Sequence, residues 1–400
     1  MNRAALEPTF GIEEEFFLID PETRDLVAAA PSGFLDECRR RLGDRVQEEM
    51  QAPQVEIATP ILRNAAAARV TLPALRNGLQ AVAADFGMRL VAAGTHPLAR
   101  WREQTHTPGE RYDRLIEDFQ IVGRRNLVCG LHIHVAIPAD VDRIQLMNRL
   151  LPWLPVLLGV SASSPFWNGQ RTGLMSYRQV AYDEWPRSGI PDTFADEADY
   201  TAFIDLLARC DALADGSFLW WAIRPSIRFP TLELRIADAC TRVRDSLAIA
   251  AAFRCLVRAH LRQPTLGLAR TSRTRLVVDE NRWQVNRHGT AAILVDEASN
   301  GPLGFTDALA HMRTLIAEDS RALRCEAEIE HLETIVHTGT SAQQQLAIHA
   351  RHREQGCSRD DALRAVIDWL TATTVGGQSV VARQHAEVTT AQGGGPAVNA

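Results

Sequence analysis

The chain contains no lysine. All 43 basic residues in its 400-residue sequence are arginines. The missing lysine excludes a Schiff-base nucleophile, a pyridoxal-phosphate lysine and the lysine of a P-loop. A GC-rich genome accounts for such a bias, but the exclusions hold whatever its origin. If the protein binds phosphate, it must therefore do so with arginine side chains, a metal ion and backbone donors.

Long apolar runs and paired cysteine motifs are also missing. No stretch reaches the roughly 18–20 apolar residues of a membrane span, and the first residues hold no apolar signal core. The seven cysteines form no CxxC pair, which argues against a disulfide framework and a thiolate zinc site. A net charge of −6 disfavours binding to nucleic acid or to an anionic membrane. We therefore expect a globular protein of the cytoplasm.

Residues 9–20, TFGIEEEFFLID, have the alternation of a β-strand. On a strand, Glu13 and Glu15 share one face, while Glu14 points to the other face with its apolar neighbours. The rise of about 3.3 Å per residue places the two carboxylates about 6–7 Å apart. Their repulsion is costly in a partly buried setting unless a cation offsets it. The alternative is a solvated charge run on an edge strand.

Three further segments repeat this design of one apolar and one ionisable face. Their ionisable residues are, in chain order, Glu56, His132 with His134, and Glu233 with Arg235. A lone histidine on an apolar strand is usually a satisfied core residue, and a Glu-x-Arg strand can be a mere cross-strand ion pair. The recurrence of one pattern on four strands favours a shared site.

A sheet curved so that these four faces converge would hold a pocket of carboxylates, imidazoles and arginines. Carboxylate-rich sites favour Mg²⁺ or Mn²⁺ over zinc, and these cations most often bridge nucleotide phosphates. The candidates for bidentate binding of phosphate or a substrate carboxylate are Arg224, Arg235, Arg282 and Arg287. The last two sit beside residues with turn chemistry. Because no glycine-rich nucleotide loop is present, ATP would be held through metal on a sheet.

Helical periodicity covers much of the remaining chain. It predicts helices over residues 32–42, 64–86, 110–125, 140–160, 244–261 and 307–370, the last with a break at 339–341. No internal repeat or linker divides the chain, so we expect one catalytic domain over residues 1–375. The composition beyond Gly376 is rich in Gly, Ala, Thr and Gln without periodicity, which predicts a disordered tail over residues 376–400.

Eight short motifs resemble those of one known family. In chain order they are GIEEEF, VEIATP, GTHP, ERY, GLHIHV, IRPS, LELRIAD and NRWQ-x-x-R-x-G. Each motif alone is weak, but the ordered set resembles the type 2 glutamate–cysteine ligase-like carboxylate-amine ligases, from about Thr9 to about Leu370. The resemblance implies an α+β fold of the glutamine synthetase/guanido-kinase type. In this fold a curved antiparallel sheet forms a funnel, with helices packed outside.

The resemblance also implies roles for individual residues. By motif matching, the metal ligands would be Glu13, Glu15, Glu56, His132 and Glu233. Contacts with phosphate or substrate would come from Arg224 and Arg235, and contacts with the nucleotide from Arg224, Arg282 and Arg287. The roles of Glu49, His96 and His134 are left open. The family further implies ATP, Mg²⁺ or Mn²⁺, an amino acid and an amine as small-molecule substrates, and a homodimer.

The implied reaction is ATP-dependent amide formation through an acyl-phosphate, from glutamate and cysteine or from another acid and amine. Two other functions remain. An HxH strand beside carboxylates is also the pattern of a metal-dependent hydrolase, although three or more carboxylates against one HxH favour the ligase. A binding or regulatory protein could keep the fold without catalysis, but unpaired carboxylates would then destabilise it.

Overall fold

The computed structural model describes residues 7–268 and 273–376. Its strands are β1 (Phe10–Ile19), β2 (Val46–Glu48), β3 (Gln54–Ala58), β4 (Arg89–Val91), β5 (Gly130–Ala136), β6 (Phe166–Trp167), β7 (Gln170–Arg171), β8 (Ser188–Gly189), β9 (Trp220–Trp221), β10 (Ile223–Pro225), β11 (Thr231–Asp238), β12 (Ile293–Asp296) and β13 (Gly301–Gly304). The predicted tail over residues 376–400 lies outside the described residues, except for its first residue.

The helices are α1 (Phe34–Leu42), α2 (Ala65–Asp85), α3 (Glu110–Phe119), α4 (Ile121–Arg124), α5 (Arg143–Leu150), α6 (Leu154–Ser161), α7 (Tyr177–Tyr182), α8 (Glu197–Arg209), α9 (Val243–Arg262), α10 (Thr274–His288), α11 (Phe305–Leu315), α12 (Ala317–Leu323), α13 (Glu326–Thr338), α14 (Ser341–Glu354) and α15 (Arg359–Thr374). Among the described residues, none of these helices is both long and apolar enough to cross a membrane.

Seven strands form the main sheet, in the order β10-β11-β5-β1-β3-β2, with β4 paired to the far end of β1. All of these pairs are antiparallel. The other described strands form separate two-stranded pairs. The predicted α+β class with an antiparallel sheet is therefore confirmed.

One face of the sheet is closed by helices because alternate residues of its strands are apolar. On β1, Ile12, Phe16 and Leu18 are fully buried and belong to the main apolar core. Helices α2 and α9 contribute to this core, and α9 is buried along nearly its whole length. Since α9 in turn packs against α12 and α13, helices cover this face in two layers.

The opposite face is covered at one end only. Phe17 and Ile19 of β1 belong to a second apolar cluster that includes Leu363 and Ile367 of α15. Toward the start of β1 the same face carries Glu15 and Glu13, and the side chain of Glu13 keeps about a quarter of its surface exposed. The change of composition along one strand therefore positions an accessible polar site beside a closed core.

Several predicted helices are interrupted in the structure. The helix expected over residues 110–125 breaks at Gln120, whose φ of 47° is incompatible with a helix. The helix expected over residues 140–160 becomes α5 and α6, separated by a 3₁₀ turn that contains Pro152. The predicted break at residues 339–341 is confirmed, although the region has further breaks.

The turn chemistry predicted around Arg282 and Arg287 is wrong. Both residues lie within the continuous helix α10, which ends at Gly289 with a φ of 57°. The prediction gave weight to the small polar residues nearby. It overlooked the i, i+3 spacing of Asp279 and Arg282, whose ion pair supports a helix.

Candidate active site

Adjacent strands bring most of the predicted site residues to one face of the sheet. Glu13 of β1 lies directly opposite His132 of β5, and Glu15 of β1 lies opposite Glu56 of β3. Directly opposed side chains of an antiparallel pair lie on the same face, with Cβ atoms about 4.5–5.5 Å apart. Two ionisable pairs therefore stand side by side in the middle of the sheet.

The row continues over the next two strands. His134 of β5 lies opposite Glu233 of β11, which in turn lies opposite Arg224 of β10. The two ends of the row are joined through Glu13, because its carboxylate is 3.4 Å from Nε2 of His134 and 3.7 Å from Nδ1 of His132. One polar surface thus extends from β10 to β3.

Three sets of side chains on this surface can each surround one cation. Within a set, one ligand atom from each residue lies within 4.8 Å of the others. The sets are Glu13 with His134 and Glu233, Glu13 with Glu56 and His132, and Glu15 with Glu49 and Glu56. The structure thereby places Glu49 in the site, although the sequence left its role open. Its position seven residues before Glu56 was visible in the sequence, but nothing there fixed its direction.

Charge interactions at this surface shift the histidines and Glu13 in different directions. Burial opposes ionisation of Glu13, but hydrogen bonds and positive charge from His132 and His134 lower its pKa below the usual range. Burial lowers the pKa of His132. Burial acts in the same way on His134, but its hydrogen bond to Glu13 and the charge of Glu233 raise its pKa. Glu13 is therefore a negative centre held between two imidazoles.

The remaining carboxyls repel one another. Burial and the charge of Glu15 raise the pKa of Glu49 to about 8. Burial, then the charges of Glu13, Glu49 and Glu15, raise the pKa of Glu56 well above its ordinary value. Glu49 therefore holds a proton at neutral pH unless another positive charge replaces it, and Glu56 ionises less readily than an ordinary carboxyl.

The donor set fits a hard divalent cation. Its ligand atoms are carboxylate oxygens with one or two imidazoles, which suits Mg²⁺ or Mn²⁺ better than zinc. Nε2 of His132 is buried without a hydrogen-bond partner among the described residues, 3.7 Å from the nearer oxygen of Glu15. A buried ring nitrogen normally has a partner, so this one is available to a ligand. Proton-sharing carboxyls and a free imidazole nitrogen both indicate a cation site.

Glu233 is held by two arginines. Nε of Arg224 donates to its carboxylate at 2.8 Å, and Nη1 of Arg235 donates to the other oxygen. Burial would raise the pKa of Glu233, but the charges of Arg235 and Arg224 lower it well below its ordinary value. The cross-strand ion pair considered from the sequence is present. Because two guanidiniums share this carboxylate, it offers less negative charge to a cation than Glu13 does.

The two arginines differ in the donors they leave free. Nη1 of Arg224 donates to the backbone carbonyls of Ser217 and Leu219, so its guanidinium is used in holding the surrounding chain. Arg235 donates to Glu233 and to the hydroxyl of Tyr182, but its Nε is buried without a hydrogen-bond partner among the described residues. Arg235 is therefore the better placed of the two to bind an anion.

The structure separates the other two predicted arginines from the carboxylates. Arg282 forms ion pairs with Asp183 at 2.7 Å and Asp279 at 2.9 Å. Asp183 directly follows Tyr182 in the chain, so Arg282 lies at the edge of the site rather than among its cation ligands. Arg287 donates to the carbonyl of Gly173 on the protein surface.

His96 has a structural environment. Its ring is buried against Phe17, its Nδ1 accepts a hydrogen bond from the backbone N–H of Ala99, and burial lowers its pKa to about 3. The ring lies within the second apolar cluster rather than in the row of ionisable side chains. Of the two roles open from the sequence, the structural hydrogen bond is the one present.

Gly130 lies at a close contact that the sequence did not reveal. A Cβ at this position would lie 2.8 Å from Cζ of Arg178 and 2.9 Å from Nε2 of His132. Its backbone N–H also donates to the carboxylate of Glu15 at 2.5 Å. Only a residue without a side chain lets the guanidinium of Arg178 and the ring of His132 lie together against position 130.

The variant Gly130→Ala should lose about 1–3 kcal/mol of folding stability and most of the activity, because the added methyl displaces the candidate cation ligand His132 and the buried Arg178. Urea unfolding and steady-state kinetics measure the two effects. Gly11→Ala on the neighbouring strand is the matched control, since its Cβ would meet only Thr59, at 4.0 Å. Equal behaviour of the two variants would contradict the expected crowding at Gly130.

The fold and the arrangement of the site are those expected of an ATP-dependent carboxylate-amine ligase. The fold is shared with the crystal structure of a bifunctional glutathione synthetase from Pasteurella multocida, with a TM-score of 0.67, 12% identity and coverage of 92% of this chain but only 53% of that one. It is also shared with glutamate–cysteine ligase from Francisella tularensis in complex with AMP, with a TM-score of 0.64, 13% identity and coverage of 95% and 94%.

The chain belongs to glutamate-cysteine ligase family 2, GCS2, whose model matches residues 9–367. Similar proteins include two named "Putative glutamate--cysteine ligase 2". The one from Ectopseudomonas mendocina is 43% identical and covers 92% of this chain and 97% of its own length. The one from Rhodospirillum rubrum is 42% identical, with coverage of 92% and 96%. The family is ATP-dependent, so ATP is the expected co-substrate, and the resemblance predicted from the eight motifs is confirmed.

Proposed function

We propose that the protein joins the carboxylate of an amino acid to an amine at the expense of ATP, with glutamate and cysteine as the first substrates to test. The names of the relatives support this choice of substrates. The observation that carries the proposal is the juxtaposition, on one open sheet face, of a carboxylate cluster and an arginine with an unused donor. A phosphoryl-transfer site needs positive charge on both sides of the transferred group, and this surface can supply it.

The candidate cation ligands are Glu13, Glu15, Glu56 and His132, with Glu49 as a fifth. Mg²⁺ or Mn²⁺ bound there would neutralise phosphate charge and align the reactants. Glu233 contributes chiefly by fixing Arg224 and Arg235, and it would be a ligand of the cation only where its one set, with Glu13 and His134, is filled.

The reaction that this arrangement supports has two steps. An oxygen of the substrate carboxylate attacks the γ-phosphorus of ATP, and the bond from this phosphorus to the bridging β-phosphate oxygen breaks. The products of this step are an acyl-phosphate and ADP. The amine nitrogen then attacks the acyl carbon, loses a proton and expels inorganic phosphate. Arg235 would donate from the guanidinium N–H groups that the protein leaves unused to the phosphoryl oxygens or to the substrate carboxylate as charge develops. No protein nucleophile is required, which agrees with the absence of lysine.

The arginines at the edge have proposed roles of a different kind. Arg224 positions Glu233, and through it Arg235, rather than contacting the nucleotide itself. Arg282 and Arg287 are proposed to contact the nucleotide side. Arg282 is the better supported, because its ion-pair partner Asp183 directly follows Tyr182, which contacts Arg235. We further propose that residues 1–375 act as one catalytic unit in the cytoplasm, a location supported by seven free thiols, and that the unit is a homodimer.

The test is phosphate release from ATP with Mg²⁺ or Mn²⁺, across pairs of amino acids and amines, with the amide identified by mass spectrometry. Release that needs both an acid and an amine, and that Arg235→Gln but not the exposed Arg39→Gln lowers strongly, supports the ligase. If ATP stays intact in every mixture while the protein holds zinc and cleaves an ester or amide, the protein is a metal-dependent hydrolase and the ligase proposal fails.

Cation binding should also change how stability depends on pH. In the cation-free protein, Glu49 with a pKa of about 8 keeps a proton that the unfolded chain releases near 4.5. The folded state then binds more protons, so the unfolding free energy falls as pH rises from about 7 to 8, by up to about 1.4 kcal/mol per unit for each such carboxyl. The raised pKa of His134 also makes the unfolding free energy fall as pH rises. The lowered pKa of His132 changes the unfolding free energy only below about pH 6.5.

Urea unfolding at pH 7 and 8 measures this slope. Saturating Mn²⁺ should flatten it, and so should Glu49→Gln in the absence of cation. Glu48→Gln, at an exposed neighbouring position, should keep the slope of the wild type. A slope that neither Mn²⁺ nor Glu49→Gln changes would show that these carboxyls are not the protonated groups.

A further inference from the structure

Arg235 lies in an irregular part of its strand. The register of β11 against β5 shifts between Leu234 and Ala237, so residues 235 and 236 are not paired with β5 in the regular ladder. Such a bulge re-aims a side chain but leaves backbone groups without partners. Since both residues are enclosed by the protein, their carbonyls must find hydrogen bonds elsewhere.

Helix α7 supplies those hydrogen bonds. Nη1 of Arg178 donates to the carbonyl of Arg235 at 3.1 Å, and Nε2 of Gln179 donates to the carbonyl of Ile236 at 2.8 Å. Both donor side chains are almost completely buried. Consecutive residues of α7 thus supply hydrogen bonds to the two consecutive carbonyls of the bulge.

The start of the same helix is fixed to the end of β11. The hydroxyls of Ser164 and Ser176 donate to the two carboxylate oxygens of Asp238 at 2.7 and 2.8 Å, and the N–H of Arg178 donates to Ser164 at 3.0 Å. Asp238 is fully buried. These contacts therefore anchor the start of α7 to the end of β11.

The last residue of the helix reaches the arginine side chain itself. The hydroxyl of Tyr182 accepts a hydrogen bond from Nη2 of Arg235 at 3.2 Å, and the guanidinium of Arg178 lies 5.6 Å from the centre of the Tyr182 ring. Arg235 is thus held by Glu233 through Nη1 and by Tyr182 through Nη2. Its Nε is buried without a hydrogen-bond partner among the described residues, and Nη1 and Nη2 each keep a second N–H.

We infer that α7 is the element that fixes Arg235, and that Tyr182 is a positioning residue which holds the plane of that guanidinium, so that its remaining N–H donors are aligned with the reacting groups. Without the Tyr182 hydroxyl, the guanidinium keeps its ion pair with Glu233 but can rotate about it. This inference rests on the proposed function, in which Arg235 contacts the phosphoryl group or the substrate carboxylate.

The variant Tyr182→Phe removes the hydroxyl and leaves the ring, so the helix and its packing are retained. We expect kcat to fall about tenfold or more with little change in KM for ATP, because misplacing a catalytic group by less than an ångström is enough for such a loss. Tyr177→Phe is the matched control. It makes the same change on the same helix, where the ring stacks on Trp167 at 5.3 Å and not on Arg235.

A double-mutant cycle distinguishes positioning from general support. If Tyr182 acts through Arg235, then Tyr182→Phe should have no further effect on kcat in an Arg235→Gln background. A second readout does not need turnover: the rate at which butanedione modifies Arg235, followed by peptide mass spectrometry, should rise severalfold in Tyr182→Phe and stay unchanged in Tyr177→Phe.

The outcomes separate this inference from the proposed function. Full activity and unchanged labelling in Tyr182→Phe, or losses that multiply in the double variant, would overturn the positioning role. If the wild type joins no acid to any amine, the ligase proposal fails, and the labelling rate alone decides whether Tyr182 fixes Arg235.

Discussion

Replacing Glu13 with glutamine should lower kcat/KM for ATP-dependent phosphate release about a thousandfold while the fold is retained. Glu13 belongs to two of the three sets of candidate cation ligands, and its carboxylate approaches both His132 and His134. Glutamine keeps the shape of the side chain but removes the negative charge that a hard cation needs. A thousandfold loss is about 4 kcal/mol of transition-state stabilisation, within the several kcal/mol that a bound cation supplies.

The cause of this loss can be separated from damage to the fold. Calorimetric titration with Mn²⁺ should show weakened binding in Glu13→Gln, and circular dichroism should show unchanged secondary structure. Glu48→Gln makes the same chemical change on β2, where the side chain is exposed and joins none of the three sets. Activity of Glu13→Gln within tenfold of Glu48→Gln, with the same Mn²⁺ affinity, would remove Glu13 from the site.

The sequence predicted the site face because strand alternation is a local property. Side chains two residues apart on a strand point to the same face. Glu13 could therefore be placed beside Glu15, and His132 beside His134, without knowing the fold. Glu14 between them points to the helices, as its neighbours Ile12 and Phe16 indicated. The order of the strands was not predicted, since alternation says nothing about which strands are neighbours.

The sequence did not show how each charge is satisfied. Arg224 and Arg282 match family motifs as well as Arg235 does, but hydrogen bonds to carbonyls or aspartates occupy the first two. Such contacts join residues that are far apart in the chain, and a guanidinium leaves no signature of its partner. The bulge at Arg235 is likewise a property of two paired strands and not of either one alone.

The same distinction explains the unexpected residues. Gly130 precedes a predicted strand and has no unusual local pattern, because its requirement comes from Arg178 on a helix about fifty residues away. Glu49 lies after the end of β2 and shares a set with Glu15 of another strand. Both are fixed by contacts that form only once the sheet is assembled, so only the coordinates reveal them.

A chain without lysine must also place its buried positive charges with arginine, and Arg76 is the clearest case. Its guanidinium forms a bidentate ion pair with Glu14 at 2.6 and 2.7 Å, on the helix-covered face of the sheet. It also donates to the carbonyls of Cys240, Thr241 and Thr374. One side chain of α2 thus links the central strand, the start of α9 and the end of α15, using donors that a lysine could not direct to so many acceptors.

Replacing Arg76 with methionine should therefore cost about 3–5 kcal/mol of unfolding free energy, the largest stability loss that we expect. The substitution leaves the Glu14 carboxylate buried at 2% exposure without its partner. It also removes hydrogen bonds from three backbone carbonyls, so adding Glu14→Met to Arg76→Met should restore only part of the loss.

Urea unfolding measures these differences, with Arg24→Met as the matched control. Arg24 pairs with Asp368 of α15 at 3.0 Å, but both side chains are substantially exposed, so its loss should cost no more than about 1 kcal/mol. Equal losses in Arg24→Met and Arg76→Met would mean that burial of the pair adds nothing. Full recovery in the double variant would instead mean that the buried charge alone matters and that the carbonyl contacts do not hold α9 and α15 to the sheet.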